Sequence, residues 1–127
     1  MNRAIIGLGS NIDPVQNIQK AKETLRQKFC VLDESCFKLT KPFGKIQQAD
    51  FINGAVLMET ELNIEYLKQM LQDIEEEMGR DRADDRHGPR TIDLDIIVWN
   101  NSITDQNFYE RDYLKESVLE LIPALTY

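Results

Sequence analysis

An arginine-studded loop, carrying Arg80, Arg82, Arg86 and Arg90, runs directly into Ile92-Asp93-Leu94-Asp95-Ile96, where apolar and acidic residues alternate. No other stretch constrains the fold as strongly. On an extended strand successive side chains take opposite faces, so Asp93 and Asp95 point the same way with Cα atoms roughly 6 to 7 Å apart. Ile92, Leu94, Ile96 and Val98 then share the other face, which a helical layer must cover. Two oxygen donors side by side suit hard Mg²⁺, commonly held by one or two carboxylates plus phosphate oxygens, and the arginines can meet the remaining anionic charge. The bland alternative is a solvated edge strand beside an exposed charged loop, since polar-face carboxylates taken alone are mostly structural.

Around this segment the chain alternates strands and helices without repeats or an obvious linker. Residues 4–8 form an apolar run suited to a buried strand. Asp13 before Pro14 predicts a helix start, with the Asp side chain as cap and Val15, Ile18, Ala21 and Leu25 on one face. Residues 31–39 alternate loosely as a second strand and 51–58 as a third, joined by a loop over 44–50. The second helix has the clearest pattern: Asn63 as cap, Leu67, Met70, Leu71, Ile74 and Met78 at helical spacing, and Gly79 as stop. Glu75 falls at the margin of that apolar stripe, where pattern alone reads it as a boundary carboxylate.

Strand, helix, strand, strand, helix, strand is the split βαβ order of an α+β, ferredoxin-like βαββαβ sandwich with an antiparallel sheet. Helices are expected on one face of the sheet and a ligand site on the other. That second face would hold Asp93 and Asp95 together with one parity of the third strand, Phe51 and Asn53, unless a bulge intervenes.

The chain of 127 residues, 42% hydrophobic and 29% charged, suits one domain over 1–127. No segment reaches membrane-spanning length, and the opening apolar stretch is too short for a secretory signal, so a cytoplasmic location is expected. Cys30 and Cys36, read as lying about 20 Å apart on one strand, cannot bridge within it and are expected to be reduced packing residues. A net charge of −7 speaks against general nucleic-acid binding. The arginine loop is near balance because Asp81, Asp84 and Asp85 oppose its arginines, so small-ligand contacts fit better. There is no phosphate-loop signature. Gly7-Leu8-Gly9 lacks the third glycine of a dinucleotide motif and reads as a tight turn after the first strand. A lone His87 and unpartnered cysteines disfavour zinc.

Gly88-Pro89-Arg90-Thr91-Ile92-Asp93-Leu94-Asp95-Ile96 resembles the signature of the 6-hydroxymethyl-7,8-dihydropterin pyrophosphokinase family, folate-pathway enzymes that move a diphosphate from ATP to a pterin alcohol. Gly9-Ser10-Asn11, Thr40 with Pro42-Phe43-Gly44, Phe51-Ile52-Asn53, Glu75, Gly79-Arg80 and Arg82 follow the family order, and the resemblance covers roughly residues 1–100. It implies that Asp93 and Asp95 hold two Mg²⁺ ions bridging the phosphates of ATP. It further implies that Arg82 and Arg90 contact phosphates, that Arg80 belongs to a catalytic loop closing over them, and that Glu75 and Ile96 serve the nucleotide. Thr40 and Phe43 would surround the pterin, Phe51 would stack on it, and Asn53 would bond its polar edge; a flat heterocycle suits aromatic area plus an amide that both donates and accepts. For the two phenylalanines ordinary core packing is the competing reading.

The implied reaction is attack of the pterin hydroxymethyl oxygen on the β-phosphorus of ATP with AMP leaving, a transfer carried by positioning and electrostatics. Asp95 is a catalytic candidate beside Arg80, Arg82 and Arg90, although a metal-bound carboxylate is a poor base. After Trp99 the resemblance weakens. Residues 101–113 are expected to be several residues shorter than in the family and lack its histidine-containing element. The resemblance places Arg111 on the later arginine, with a role toward ATP, and Tyr113 on the pterin-stacking aromatic, ahead of an apolar tail of Val118, Leu119, Leu121, Ile122 and Pro123. Three readings follow: an active pyrophosphokinase, a degenerate pterin- or nucleotide-binding protein with little turnover, and a structural interaction domain. The sequence fixes no oligomeric state.

Overall fold

The computed structural model describes residues 1–42, 47–79 and 89–127. In chain order the elements are β1 (Asn2–Ser10), α1 (Pro14–Lys28), β2 (Cys30–Glu34), β3 (Lys38–Thr40), β4 (Phe51–Thr60), α2 (Ile64–Glu77), β5 (Asp93–Trp99), β6 (Ser102–Ile103), α3 (Asn107–Glu110) and α4 (Asp112–Leu121). The strands form one antiparallel sheet in the order β2-β4-β1-β5-β6, with β3 also paired to β4. Its four principal strands have the expected ferredoxin-like arrangement, with β1 and β4 in the middle.

Alternation along the central strands builds two cores. Ala4, Ile6 and Leu8 of β1, Val56 and Met58 of β4, and Leu94 of β5 are buried with Ile18, Ala21 and Leu25 of α1 and Leu67, Leu71 and Ile74 of α2. On the opposite face Ile5, Ala55, Ile97 and Val98 are buried with Phe108, Leu114, Val118 and Leu121. The ligand face expected to be free of helices is therefore half covered, by α3 and α4. The expected apolar tail from Val118 falls partly on α4, where residues 112–121 form a helix because Leu114, Val118 and Leu121 recur at helical spacing.

Other local expectations are corrected. Asp13 occupies the helix-start position but with φ +40° and no side-chain cap bond. Val15 is 73% exposed, so the buried stripe of α1 is Ile18, Ala21 and Leu25. The predicted strand over 31–39 is split into β2 and β3. At the break the Ser35 Oγ takes the Ala55 N–H at 2.9 Å and the Ser35 N–H donates to the Ala55 carbonyl at 2.9 Å. Cys36 falls in that break, and both cysteines are free and exposed instead of packed. In α2, by contrast, Asn63 Oδ1 does accept the Tyr66 N–H at 2.9 Å, and Gly79, at φ +96°, ends the helix in a conformation that favours glycine.

One irregularity matters most for the site. Ile5 is paired with Val98 but Ile6 with Ile96, so Ile97 is an extra residue on β5. Asp93 and Asp95 precede this bulge and keep their common face. Val98 follows it and moves from the expected helix-covered face to the opposite core, while Trp99 packs with Ile96 against the α1/α2 core.

Candidate active site

The register across three strands aligns Asp93 with Gly9 and Gly9 with Asn53, and in the next row Asp95 with Gly7 and Gly7 with Ala55. Directly opposed residues in antiparallel strands share a face. The two carboxylates of β5 and the amide of β4 therefore stand on one surface, separated only by two glycines of β1. Gly7 and Gly9 lie inside this nine-residue strand, which corrects the expectation of a tight turn there. Thr40 is paired with Phe51, and Asn53 Nδ2 donates to the Thr40 hydroxyl, so these three residues also share the surface.

One cleft is lined jointly by Asn53, Asp93, Asp95, Arg111 and Tyr113. Arg111 and Tyr113 reach it from the start of α4, where an Arg111 Nη1 donates to the Tyr113 hydroxyl at 3.4 Å. A second pocket of about 340 Å³ lies beside it and is lined by Glu75, Ile96 and Asp95, with Leu71, Gln72 and Asp105. Asp95 and Asp105 border both spaces. Arg111 lines the cleft of Asn53 and is not among the residues lining the pocket of Glu75 and Ile96. Phe43, Arg80, Arg82, Arg86 and His87 lie outside the described residues.

The two carboxylates differ in surroundings. Asp95 is exposed, whereas Asp93 is half-buried and its Oδ1 lies 3.6 Å from Nε of Arg90. Arg90 is only 5% exposed, and its backbone is tied to Asn11 in both directions. The Arg90 N–H donates to Asn11 Oδ1 at 2.7 Å, and the Asn11 N–H donates to the Arg90 carbonyl at 3.0 Å. Asn11 Nδ2 in turn donates to Gln48 Oε1 at 2.8 Å and to the Ala49 carbonyl at 3.1 Å. One buried amide thus joins the end of β1 to the approaches of β4 and β5.

Glu75 is 2% exposed, well inside the core rather than at the margin where its spacing put it. Its carboxylate accepts the Leu94 N–H at 2.8 Å. The only strand paired with residues 93–96 of β5 among the described residues is β1, so Glu75 satisfies a backbone donor on the other edge, between the two aspartates in sequence.

Asp93 and Asp95, two apart on one open face with one of them exposed, suit a hard divalent cation. No group of three or more His, Cys, Asp or Glu side chains converges on a common point among the described residues. Phosphate oxygens and water would then complete the shell, as Mg²⁺ sites commonly require. The sequence reading missed Gly7 and Gly9 as the floor, Asn11 as the tie and Asp105 at the junction of the two spaces. The glycine pair at strand spacing was a usable signal, because i and i+2 share a face.

The sequence matches the family model described as 7,8-dihydro-6-hydroxymethylpterin-pyrophosphokinase over residues 5–123, past the limit near residue 100 that the motifs alone mark. It is 40% identical over 106 residues to the 2-amino-4-hydroxy-6-hydroxymethyldihydropteridine pyrophosphokinase of Haemophilus influenzae, an alignment covering 81% of this chain and 66% of that protein. It is 39% identical over 127 residues to the Bacillus subtilis protein of the same name, covering 96% of this chain and 75% of the relative. A folate synthesis bifunctional protein of Arabidopsis thaliana is 30% identical over 128 residues, covering 93% of this chain and 26% of its own length. The chain spans about two thirds to three quarters of the bacterial relatives. It belongs to the 7,8-dihydro-6-hydroxymethylpterin-pyrophosphokinase family, pyrophosphokinases of folate biosynthesis.

Proposed function

We propose that this chain, acting as one domain over 1–127, transfers the terminal diphosphate of ATP to 6-hydroxymethyl-7,8-dihydropterin and releases AMP. The observation that carries the reading is the common face of Asp93, Asp95 and Asn53 across the Gly7–Gly9 strip. A phosphate-bound cation and a hydrogen-bonding heterocycle could be held there within reach of each other.

In the reaction the hydroxymethyl oxygen forms a bond to the β-phosphorus, and the bond from that phosphorus to the oxygen of the α-phosphate breaks. AMP carries the bridging oxygen away, and the alcohol proton passes to solvent. Asp93 and Asp95 would hold Mg²⁺, two ions in this reading, which when bound neutralises charge on the phosphates. A carboxylate so engaged is a poor base, so the part of Asp95 is to hold charge rather than to take the proton. Arg90, fixed through Asn11 and Asp93, supplies a cation beside the carboxylates, and Arg80 and Arg82 would add theirs to the transferred group. Glu75 and Ile96 border the space read as the nucleotide pocket. Asn53, Thr40, Phe51 and Phe43 would receive the pterin, with Tyr113 closing over it and Arg111 meeting phosphate from the head of α4.

No helix among the described residues is long and apolar enough to cross a membrane. The net charge of −7 speaks against nucleic acid as a partner, and a cytoplasmic enzyme of two small-molecule substrates belongs to the reading proposed. The test is to incubate the pure protein with Mg-ATP and 6-hydroxymethyl-7,8-dihydropterin and to identify the nucleotide product. AMP is expected. ADP would make it a simple kinase, and unconsumed ATP with retained pterin binding would make it the degenerate binding protein.

A further inference from the structure

We infer that Gly9 is a positioning residue for pterin recognition, because its missing side chain is the space in which the Asn53 amide rests. The inference rests on the assignment of Asn53 to the pterin. Gly9 and Asn53 are opposed in the β1–β4 register. A Cβ built on Gly9 overlaps Asn53 Oδ1 and comes within 3.5 Å of Asn53 Cγ and 3.8 Å of Phe51 Cδ1. Backbone conformation is not the reason for glycine here: among the described glycines only Gly79 has positive φ, and Gly9 is ordinary strand. Space is the reason.

Gly7 makes the contrast. A Cβ there would meet Ile97 Cγ1 and Cδ1 at 3.3 Å and Leu114 Cδ1 at 3.5 Å, all apolar atoms of the core beneath α4. Crowding at Gly7 strains packing, whereas crowding at Gly9 falls on the polar end of one side chain. That end can rotate away, so a methyl group at position 9 displaces the amide and leaves the backbone in place. The rotation also breaks the bond from Asn53 Nδ2 to the Thr40 hydroxyl, which holds the amide in its present orientation. Gly9→Ala is thus a lesion in recognition delivered through Asn53, with the rest of the sheet intact.

A double-mutant cycle tests this. Wild type, Gly9→Ala, Asn53→Ala and the double variant are titrated with 6-hydroxymethylpterin in the presence of Mg²⁺ and a non-hydrolysable ATP analogue, and separately with the analogue alone. Each single change should raise the pterin Kd by about tenfold or more, the worth of a lost oriented hydrogen bond, and leave the analogue Kd within about twofold. With the amide gone a methyl group at position 9 meets no polar end, so the double variant should bind within about twofold of Asn53→Ala. Wild-type pterin affinity in Gly9→Ala overturns the inference. So does a double variant whose losses multiply, which would mean that the ligand itself needs the bare backbone. Unchanged pterin affinity in Asn53→Ala overturns the pterin assignment instead. In that case the seating is still read by the Asn53 side-chain amide resonances of ligand-free protein, which must shift in Gly9→Ala; unshifted resonances overturn it. Thermal melting of Gly9→Ala close to wild type accompanies the expected result, and collapse of the fold would contradict a lesion confined to one side chain.

Discussion

The two faces of this sheet follow opposite plans. Under α1 and α2 the face is closed along its length, from Ala4 through Ile6 to Leu8 on β1. The other face is divided. At one end Ile5 and Val98 lie beneath Phe108, Val118 and Leu121 as a second core, which extends through Ala55, Ile97 and Leu114 as far as the row of Gly7. At the other end Gly7, at the edge of that core, and Gly9 put no side chain between the aspartates of β5 and Asn53 of β4. The lesson is that a single strand can serve as core and as site floor by changing only its odd-numbered residues. The extra residue Ile97 lies beside the changeover and moves Val98 into the second core without disturbing the aspartates.

If the covered end is a true core, Phe108→Ala should be the most damaging single change, lowering unfolding free energy by about 3–5 kcal/mol. Phe108 is fully buried. A urea midpoint no lower than that of a surface variant would show that α3 and α4 merely rest on the sheet. At the open end the signature reverses. Asp95→Ala should lower kcat/KM by about 10²–10³-fold or more with stability changed by about 0.5 kcal/mol or less. Asp93→Ala should lose similar activity but also cost about 1–3 kcal/mol, because buried Arg90 loses an ion partner. Steady-state kinetics beside denaturant melts separate the two, and full turnover in Asp95→Ala would remove the open end from catalysis.

Glu75 sharpens the boundary between the plans, since it is buried with the closed face yet borders the space next to Asp95. Glu75→Ala should cost about 1–3 kcal/mol by stranding the Leu94 N–H, and Glu75→Gln distinctly less because an acceptor remains. Equal losses in both variants would mean that its charge, not its hydrogen bond, is what matters. The smallest effect belongs to the helix cap: Asn63→Ala should lower stability by about 1 kcal/mol and leave the KM of both substrates alone. A raised KM would couple α2 to the site more tightly than the closed face implies.

How much of this was legible follows from what each feature depends on. The ferredoxin-like order, the cap at Asn63, the stop at Gly79 and the common face of Asp93 and Asp95 rest on local chemistry and strand parity, and a sequence displays both. The bulge at Ile97 depends on how β1 and β5 come into register, and nothing in Ile96-Ile97-Val98 marks one of three β-branched residues as surplus. The break between β2 and β3 depends on Ser35 meeting the backbone of Ala55, twenty residues away. Burial of Glu75 was hidden for the same reason, because its partner is an amide on another element. Of the candidate site residues, Asn53, Asp93, Asp95, Arg111 and Tyr113 come together around one cleft, while the bare floor joining them was misread as a turn.

Asn11 carries a consequence for how the site comes into being as the chain folds. Its side chain spans 37 residues to Gln48, 38 to Ala49 and 79 to Arg90. Bonds across such separations form only once β1, β4 and β5 already lie side by side, because the entropy of closing those loops must first be overcome by strand pairing. Arg90, and with it the ion pair to Asp93, is therefore fixed among the last events of folding. The site in this account has no independent existence as a motif; it is held by the cooperativity of the whole sheet, and it opens only as far as the sheet itself gives way.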